Sequence, residues 1–367
     1  MSRSEKQSLL PASRSDLGGS GPHYTLVIHG GAGTMSRKNA TPEQIAAYHA
    51  GLRKALEAGF AVLQAGGEAM DAAVAAVSTL EDNPLFNAGK GAVFNVAGKN
   101  ELEASIMLSK PPASHPAIPV SRRGLGLTLL TRTKNPSQMV RALYLNVDTV
   151  PHVYMSGSSA ESIGESMGQV LVDPSYFFTE ARWKEHRRGL GHSDEPRPAD
   201  ASSLDMFPTG TVGAVALDVR GCICAVTSTG GRTNKLVGRV GDTPTMGSGF
   251  WAEEWKTKGF VTRAWNKLTG KPNFRAVGIS GTGDGDYFIR QATASTISRR
   301  MQFLGESVLT AASIAVDDLA KDGGIGGVIA LDSEGNVALP LNCEGMYRGV
   351  IREDGTPKTA IFRDDVL

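Results

Sequence analysis

Apolar side chains recur at three- and four-residue intervals through Ile45, Tyr48, Leu52, Leu56 and Phe60, which marks one face of a helix. The start of that helix is written in Thr41-Pro42-Glu43-Gln44, where threonine caps, proline suits the first turn and Gln44 closes a capping box. Gly66-Gly67 ends it. A second helix is expected over Ala69–Leu80, where alanine and valine on every side suit tight packing between other elements. Upstream, Tyr24–His29 reads as a short strand that runs into Gly30–Gly33, taken as a turn with exposed backbone. Ala92–Asn95 and Leu102–Met107 read as strands, and Gln138–Leu145 as a helix.

Between about Glu180 and Gly210 the composition turns to charge, Gly, Ser, Pro and Asp, so this stretch reads as a flexible linker. It stops abruptly. Thr211–Asp218 is strand-like, Val219-Arg220-Gly221 is a three-residue loop with Gly221 at the left-handed position, and Cys222–Thr229 returns. A helix near Gly305–Leu319 and a hairpin pairing Val328–Leu331 with Val337–Leu339 follow. Helices fall mostly in the first half and hairpins mostly in the second, which favours an α+β class with layered sheets over a βαβ repeat.

Composition narrows the classes of function. A net charge of +1 on 367 residues argues against a nucleic-acid partner and against electrostatic membrane anchoring. The 44 glycines imply many tight turns or places where backbone approaches a ligand. Cysteines number three, with two in Cys222-Ile223-Cys224, where alternation in a strand puts both on one face and makes a bridge between them unfavourable. A reducing, cytoplasmic setting is therefore expected. Residues 1–22 are polar and lack an apolar stretch suited to a signal peptide or membrane span, so they are expected to be a disordered tail.

The junction Gly210-Thr211 carries the most specific chemistry. A threonine hydroxyl needs a base beside it, and a threonine that begins a chain has one in its own α-amino group, which ordinarily titrates at about 7.7–8.0. Glycine before the threonine gives the backbone freedom for Oγ to reach the preceding carbonyl, the first step of self-cleavage. Taken locally, the same residues are also a plain loop-to-strand junction. The hairpin adds weight: if Asp218 pairs with Cys222, Thr229 lies opposite Thr211 on the same face. Thr–Thr pairs also occur as ordinary cross-strand neighbours.

The run Gly210–Asp218, followed by Thr227-Ser228-Thr229-Gly230-Gly231 and Gly238-Arg239-Val240-Gly241-Asp242, resembles the plant-type L-asparaginase/isoaspartyl peptidase family. So do His29–Gly33, Phe86-Asn87-Ala88-Gly89 and Gly281-Thr282-Gly283-Asp284-Gly285, in family order, from Ile28 to about Gly349. The resemblance implies a four-layer αββα sandwich of the N-terminal-nucleophile hydrolase type. One domain would be built from an alpha fragment (23–210) and a beta fragment (211–367). It implies cleavage at Gly210/Thr211, with Thr211 as nucleophile and Thr229 as the assisting hydroxyl. Thr282 and the Gly283 N–H would form the oxyanion hole, and Asn87 would support the nucleophile. Arg239 would grip the α-carboxylate of a small-molecule or dipeptide substrate, for which its planar fork is suited, and Asp242 its α-ammonium. Gly285 would leave room for that substrate. The loop Leu80–Lys90 would hold a structural sodium ion through carbonyls of Leu80, Glu81, Asn83, Phe86, Ala88 and Lys90. No cofactor for catalysis is implied, and the mature form would be a homodimer of cleaved pairs. His29 reads as a buried structural histidine.

Four features depart from the pattern. The stretch between Asp242 and Thr282 is long and holds Phe250, Trp251, Trp255, Phe260 and Trp265, which reads as an insertion over the site or a subunit interface. Asp286 stands where Glu is common, Cys343 where threonine is, and Glu103 where Asp is. Glycosylasparaginases and threonine aspartases share the fold but usually carry Asp before the nucleophile, whereas this chain has Gly210. A non-catalytic protein using its Gly-rich loops to hold a small molecule or phosphate is the rival from another class, although no Gly-x-x-x-x-Gly-Lys-Ser/Thr run is present.

Overall fold

A computed structural model describes residues 23–33, 35, 37, 40–192, 210–257, 259, 263–264, 267–269 and 273–367. The expected tail 1–22 and the segment 193–209 of the expected linker lie outside these residues.

The first helix forms as its sequence dictates. In α1 (Pro42–Gln64) the Thr41 hydroxyl accepts from the Gln44 N–H at 3.2 Å, and the Gln44 side chain accepts from the Thr41 N–H at 3.1 Å. This reciprocal cap fills two of the donors that every helix start leaves open. Helix α2 (Ala69–Glu81) follows, and its small residues let it pack closely on α1 and on the sheet below. Helices α3 (Pro136–Leu145) and α4 (Gly157–Ser166) complete this group.

The strands divide between two sheets. The larger contains β1 (Thr25–Gly33), β2 (Leu102–Leu108), β3 (Gly124–Leu130), β4 (Tyr154–Ser156), β5 (Val212–Leu217), β6 (Ile223–Thr229), β11 (Gly345–Ile351) and β12 (Lys358–Phe362). Its order is β12-β11-β1-β5-β6-β2-β3-β4, so the strand after Thr211 occupies the middle. The smaller sheet runs β10 (Val337–Ala338), β9 (Gly326–Asp332), β8 (Phe274–Gly283), β7 (Phe250–Lys256).

Three buried clusters follow from strand alternation. On β5 and β6, Val212, Ala214, Ala216, Cys224 and Val226 face α1–α3, and Cys222, just before β6, joins them. Their neighbours Val215, Leu217, Ile223 and Ala225 face Phe250, Ala252, Ile329 and Leu331 of the smaller sheet. The other face of that sheet, through Val277, Ile279 and Ala330, packs on α7 (Thr293–Arg299) and α8 (Val308–Lys321). Each large apolar side chain so buried contributes roughly 1.5–3 kcal/mol. Both faces of β5 and β6 are covered, which is why these strands read as near-continuous apolar runs. Cys222 and Cys224 share the helix-side face as expected, and all three cysteines are buried and unbridged.

Several expectations need correction. Gly30–Gly33 is not a turn: β1 continues through it with a bulge between His29 and Gly31. A side chain at Gly30 would strike the Phe86 ring, its Cβ lying 2.5 Å from Cε1. Ala92–Asn95 is not a strand. The first ten residues of the expected linker form helix α5 (Glu180–Gly189), capped by Thr179. Its charges are not all solvated, since Arg182 is 1% exposed and donates to the Gly91 carbonyl at 2.8 Å and to Glu185 at 2.9 Å. The second half is also more helical than read, with α6 (Gly285–Gln291) starting inside the supposed Gly-rich turn and α7 after it. Phe250, Trp251 and Trp255 belong to β7, a paired strand with Phe250 and Trp255 buried, rather than to an inserted cover.

Candidate active site

The hairpin register holds as derived, with Leu217 paired to Ile223 and Val212 to Ser228. One step further sets Thr211 against Thr229. Both are buried and point, like Val215 and Ile223, into the space between the sheets. From the opposite sheet, β8 brings Thr282 to the same place. Its hydroxyl accepts from the Thr211 N–H at 2.9 Å and from the Ala32 N–H at 3.1 Å. Gly210 is confined by that contact: a Cβ there would lie 2.5 Å from Thr282 Oγ1, 2.7 Å from Ala32 N and 2.8 Å from Gly31 Cα. The junction needs glycine for space as well as for freedom. Gly283, with φ of +144°, tolerates no Cβ either, since Ile325 O would lie 2.3 Å away.

His29 is the buried structural histidine expected. Its Nδ1 lies 2.8 Å from the Thr211 carbonyl and its Nε2 2.7 Å from Ser280 Oγ, which in turn lies 2.8 Å from Thr227 Oγ1. Burial drives the His29 pKa down to about 3, so the ring is neutral. A carbonyl only accepts, which assigns the proton to Nδ1 and makes Nε2 the acceptor from Ser280. The chain then runs Thr227 to Ser280 to His29 to the Thr211 carbonyl and fixes the peptide that follows Thr211. Sequence alone gives Ser280 and Thr227 no role. Strand alternation does link them to the site, since each lies two residues before Thr229 or Thr282 on the same strand face.

Asn87 holds the far side. Its Nδ2 donates to the Gly231 carbonyl at 2.7 Å, its Oδ1 accepts from the Val93 N–H at 3.0 Å and its carbonyl from the Gly230 N–H at 3.0 Å. The Gly231 N–H donates to Thr229 Oγ1 at 2.9 Å, so Asn87 fixes the turn that orients Thr229.

Arg239 and Asp242 come together around Gly285, where a Cβ would lie 2.3 Å from Asp242 Oδ1 and 3.2 Å from Arg239 Nη2. Arg239 also donates to Asp286 at 3.0 Å. Asp242 is 5% exposed, and burial first, then the nearby Glu103 charge, push its pKa up to about 7. Without the Cβ-free Gly285 this corner would be closed.

The loop between α2 and β2 offers oxygen donors to a cation. The carbonyls of Asn83, Phe86 and Ala88 each accept one backbone N–H within the loop, at 2.9–3.2 Å, and keep a second lone pair, while that of Leu80 accepts from both Asp82 and Asn83. The Glu81 carboxyl is not among the donors, since it accepts from the Ser137 N–H and hydroxyl at 2.8 Å each. An all-oxygen, mostly neutral donor set suits a hard monovalent cation. Among the described residues no group of His, Cys, Asp and Glu has the form of a transition-metal site.

A buried threonine stands at the start of a central strand, with one hydroxyl across the hairpin and another from the facing sheet. A family model described as Asparaginase matches residues 22–257 and 272–361, and the chain belongs to this family. It is 38% identical to the isoaspartyl peptidases of Salmonella typhimurium and Escherichia coli, over 92% of this chain and 98% and 96% of theirs. It is 32% identical to the isoaspartyl peptidase/L-asparaginase of Danio rerio, over 85% of this chain and 87% of that one. The unmatched interval, 258–271, is shorter than the insertion inferred from sequence; it contains Phe260 and Trp265, both outside the described residues.

Proposed function

We propose that the chain is a precursor that cuts itself between Gly210 and Thr211, and that the liberated Thr211 amine is the base for its own hydroxyl. The protein is an amidohydrolase that releases L-aspartate from isoaspartyl peptides and L-asparagine, as the names carried by its relatives indicate. The observation that carries the site assignment is the placement of Thr211 after a space-restricted glycine, with its N–H on the Thr282 hydroxyl and Thr229 across the hairpin. Purified protein incubated with L-asparagine and with a β-aspartyl dipeptide should release aspartate from at least one; release from neither refutes the reading.

In self-cleavage Thr211 Oγ attacks the Gly210 carbonyl carbon. The C–N bond breaks as the ester forms, the nitrogen takes the hydroxyl proton, and water then frees the Gly210 carboxylate. In turnover the same oxygen attacks the substrate's side-chain carbonyl while its proton passes to the Thr211 amine and on to the leaving ammonia or peptide amine. Water repeats the step on the acyl-enzyme. Thr282 and the Gly283 N–H stabilise the oxyanion, a contribution of about 2.7–4 kcal/mol per donor in comparable sites. Thr229 Oγ1 accepts from the Gly231 N–H with one lone pair, and its hydrogen donates toward Thr211. Arg239 and Asp242 hold the substrate's carboxylate and ammonium, with Gly285 giving room.

The three buried clusters support a four-layer αββα arrangement of the N-terminal-nucleophile type, with the site between the central sheets. A sodium ion held by the Leu80–Lys90 carbonyls would fix the loop that carries Asn87 and takes no part in the chemistry. We further propose a homodimer of cleaved pairs and, from three unbridged cysteines, a cytoplasmic setting. Among the described residues no helix is long and apolar enough to cross a membrane.

The charge at Asp242 gives a pH prediction. Its raised pKa means that the carboxyl is neutral below about 7 and ionised above. An ionised carboxylate holds an ammonium more strongly than a neutral acid does, so KM for asparagine should rise as pH falls through 7. In Asp242→Asn the KM is high throughout and that limb flattens. Steady-state KM between pH 5.5 and 8.5 decides it, and a pH-independent wild-type KM contradicts the assignment.

A further inference from the structure

Beside the clamp lies a carboxyl that the reaction as described does not use. Glu103 is 1% exposed and is the β2 partner of Thr229, so Thr211, Thr229 and Glu103 stand in a row across three adjacent strands. Two strand spacings, about 10 Å, separate the backbones of Thr211 and Glu103. Glu103 Oε1 is fully used: it accepts from the Gly241 N–H at 2.8 Å and the Thr128 hydroxyl at 3.3 Å. Thr128 lies at an irregularity of β3, where the register shifts between Leu102 and Ala104 and Leu129 takes a left-handed φ of 56°. A residue with a side chain is strained there, so this backbone is held by its surroundings.

Among the described residues Glu103 Oε2 has no partner, and neither does Asp242 Oδ2. Both oxygens are buried, and burying an unpaired carboxylate oxygen is costly unless a ligand comes to it. The two carboxyls border the same guanidinium. A Cβ at Gly241 would lie 2.7 Å from Arg239 Nη1 and 2.9 Å from Glu103 Oε2, while one at Gly285 meets Asp242 Oδ1 and Arg239 Nη2. The buried cation Lys235 does not answer the need, because its Nζ donates to the carbonyls of Glu101 and Gly230 at 2.6 and 2.9 Å. Glu103 Oε2 therefore stands open beside Arg239, while Asp242 borders the same guanidinium through Oδ1 and its open Oδ2 lies toward Gly249, 2.9 Å from where a Cβ there would stand. The proposed substrate brings three N–H donors on one ammonium to this corner.

We propose that Glu103 is a second receiver of the substrate α-ammonium, its Oε2 joining the Asp242 carboxyl in a two-carboxylate pocket around Arg239. This rests on the reading of the clamp given above. The ammonium is the only group the pocket can discriminate, since Arg239 takes the carboxylate and Thr211 the reacting carbonyl. Glu103 is thereby a specificity determinant for α-amino over deamino substrates and acts on binding more than on the chemical step.

The test compares L-asparagine with succinamate, the same amide without the α-amino group, in wild type and Glu103→Gln. Glutamine keeps the length and an oxygen for the Gly241 N–H and removes the charge. Its KM for asparagine should rise about tenfold, with kcat within about threefold, while succinamate kinetics stay unchanged, so that preference between the two shifts about tenfold. Equal effects on both substrates, as a merely structural role would give, overturn the proposal, and so does no effect on either. Glu103→Asp, measured for the same ratio, guards against a glutamine variant that does not fold. It should lower the preference for asparagine, because the shorter side chain withdraws Oε2, and an unchanged ratio overturns the proposal. Wild-type protein that hydrolyses asparagine with unaltered preference in the variants sinks this inference alone; wild-type protein that releases aspartate from neither asparagine nor a β-aspartyl dipeptide sinks the clamp reading with it.

Discussion

Thr211→Ala is expected to remain a single full-length chain on a denaturing gel and to lose turnover by about four orders of magnitude or more. The two losses share one cause. The methyl group that replaces the threonine side chain cannot attack the Gly210 carbonyl, so no amine is liberated, and no nucleophile exists for substrate. The effect on stability should be small, since the alanine keeps the backbone N–H on Thr282 and the carbonyl on His29. Paired gels and asparagine assays on wild type and variant measure it. Cleavage of the variant at the same bond would mean that another agent does the cutting.

Thr282→Val is the second large effect, for a different reason. Valine matches the shape of threonine but accepts no hydrogen bond. In the precursor it strands the N–H groups of Ala32 and Thr211, both directed at the Thr282 hydroxyl. A buried donor left without a partner costs about 1–3 kcal/mol. In the mature site the same change removes an oxyanion donor, and kcat should fall about 10²–10³-fold with little change in KM. Both sides of the effect are measurable, the first as slower self-cleavage and the second in steady-state kinetics. A variant that matures and turns over like wild type would remove Thr282 from the site.

What can be read along the chain, and what cannot, follows the range of the forces involved. The cap of α1 is a contact between Thr41 and Gln44, three residues apart, so residue types alone specify it. The β5–β6 register follows from a short loop and from Gly221, whose φ of 71° suits glycine. That register alone puts Thr229 across from Thr211. The motif residues Asn87, Arg239, Asp242, Thr282 and Gly285 are likewise legible, by resemblance, and each lies near the Thr211 hairpin, its turn or the facing clamp. Helix α5 escapes the sequence reading because Arg182 looks like a solvated charge; only folding brings it to the Gly91 carbonyl. The Ser280–His29 contact spans the two sheets, and no local pattern joins residues so far apart in sequence. Glu103 stands out only as a departure from its family, since its neighbours Thr128 and Gly241 are set by a strand irregularity and a loop. The Phe250–Trp255 aromatics mislead for a related reason: an aromatic run reads the same whether it covers a site or fills a core.

The central claim is that the working enzyme carries Thr211 as a free amino terminus. N-terminal sequencing of the active, purified protein tests this most directly. Two chains should be found, one of them beginning Thr-Val-Gly-Ala-Val-Ala-Leu, in step with the appearance of activity. Active protein that yields one continuous chain, or a second chain beginning anywhere else, would contradict the account.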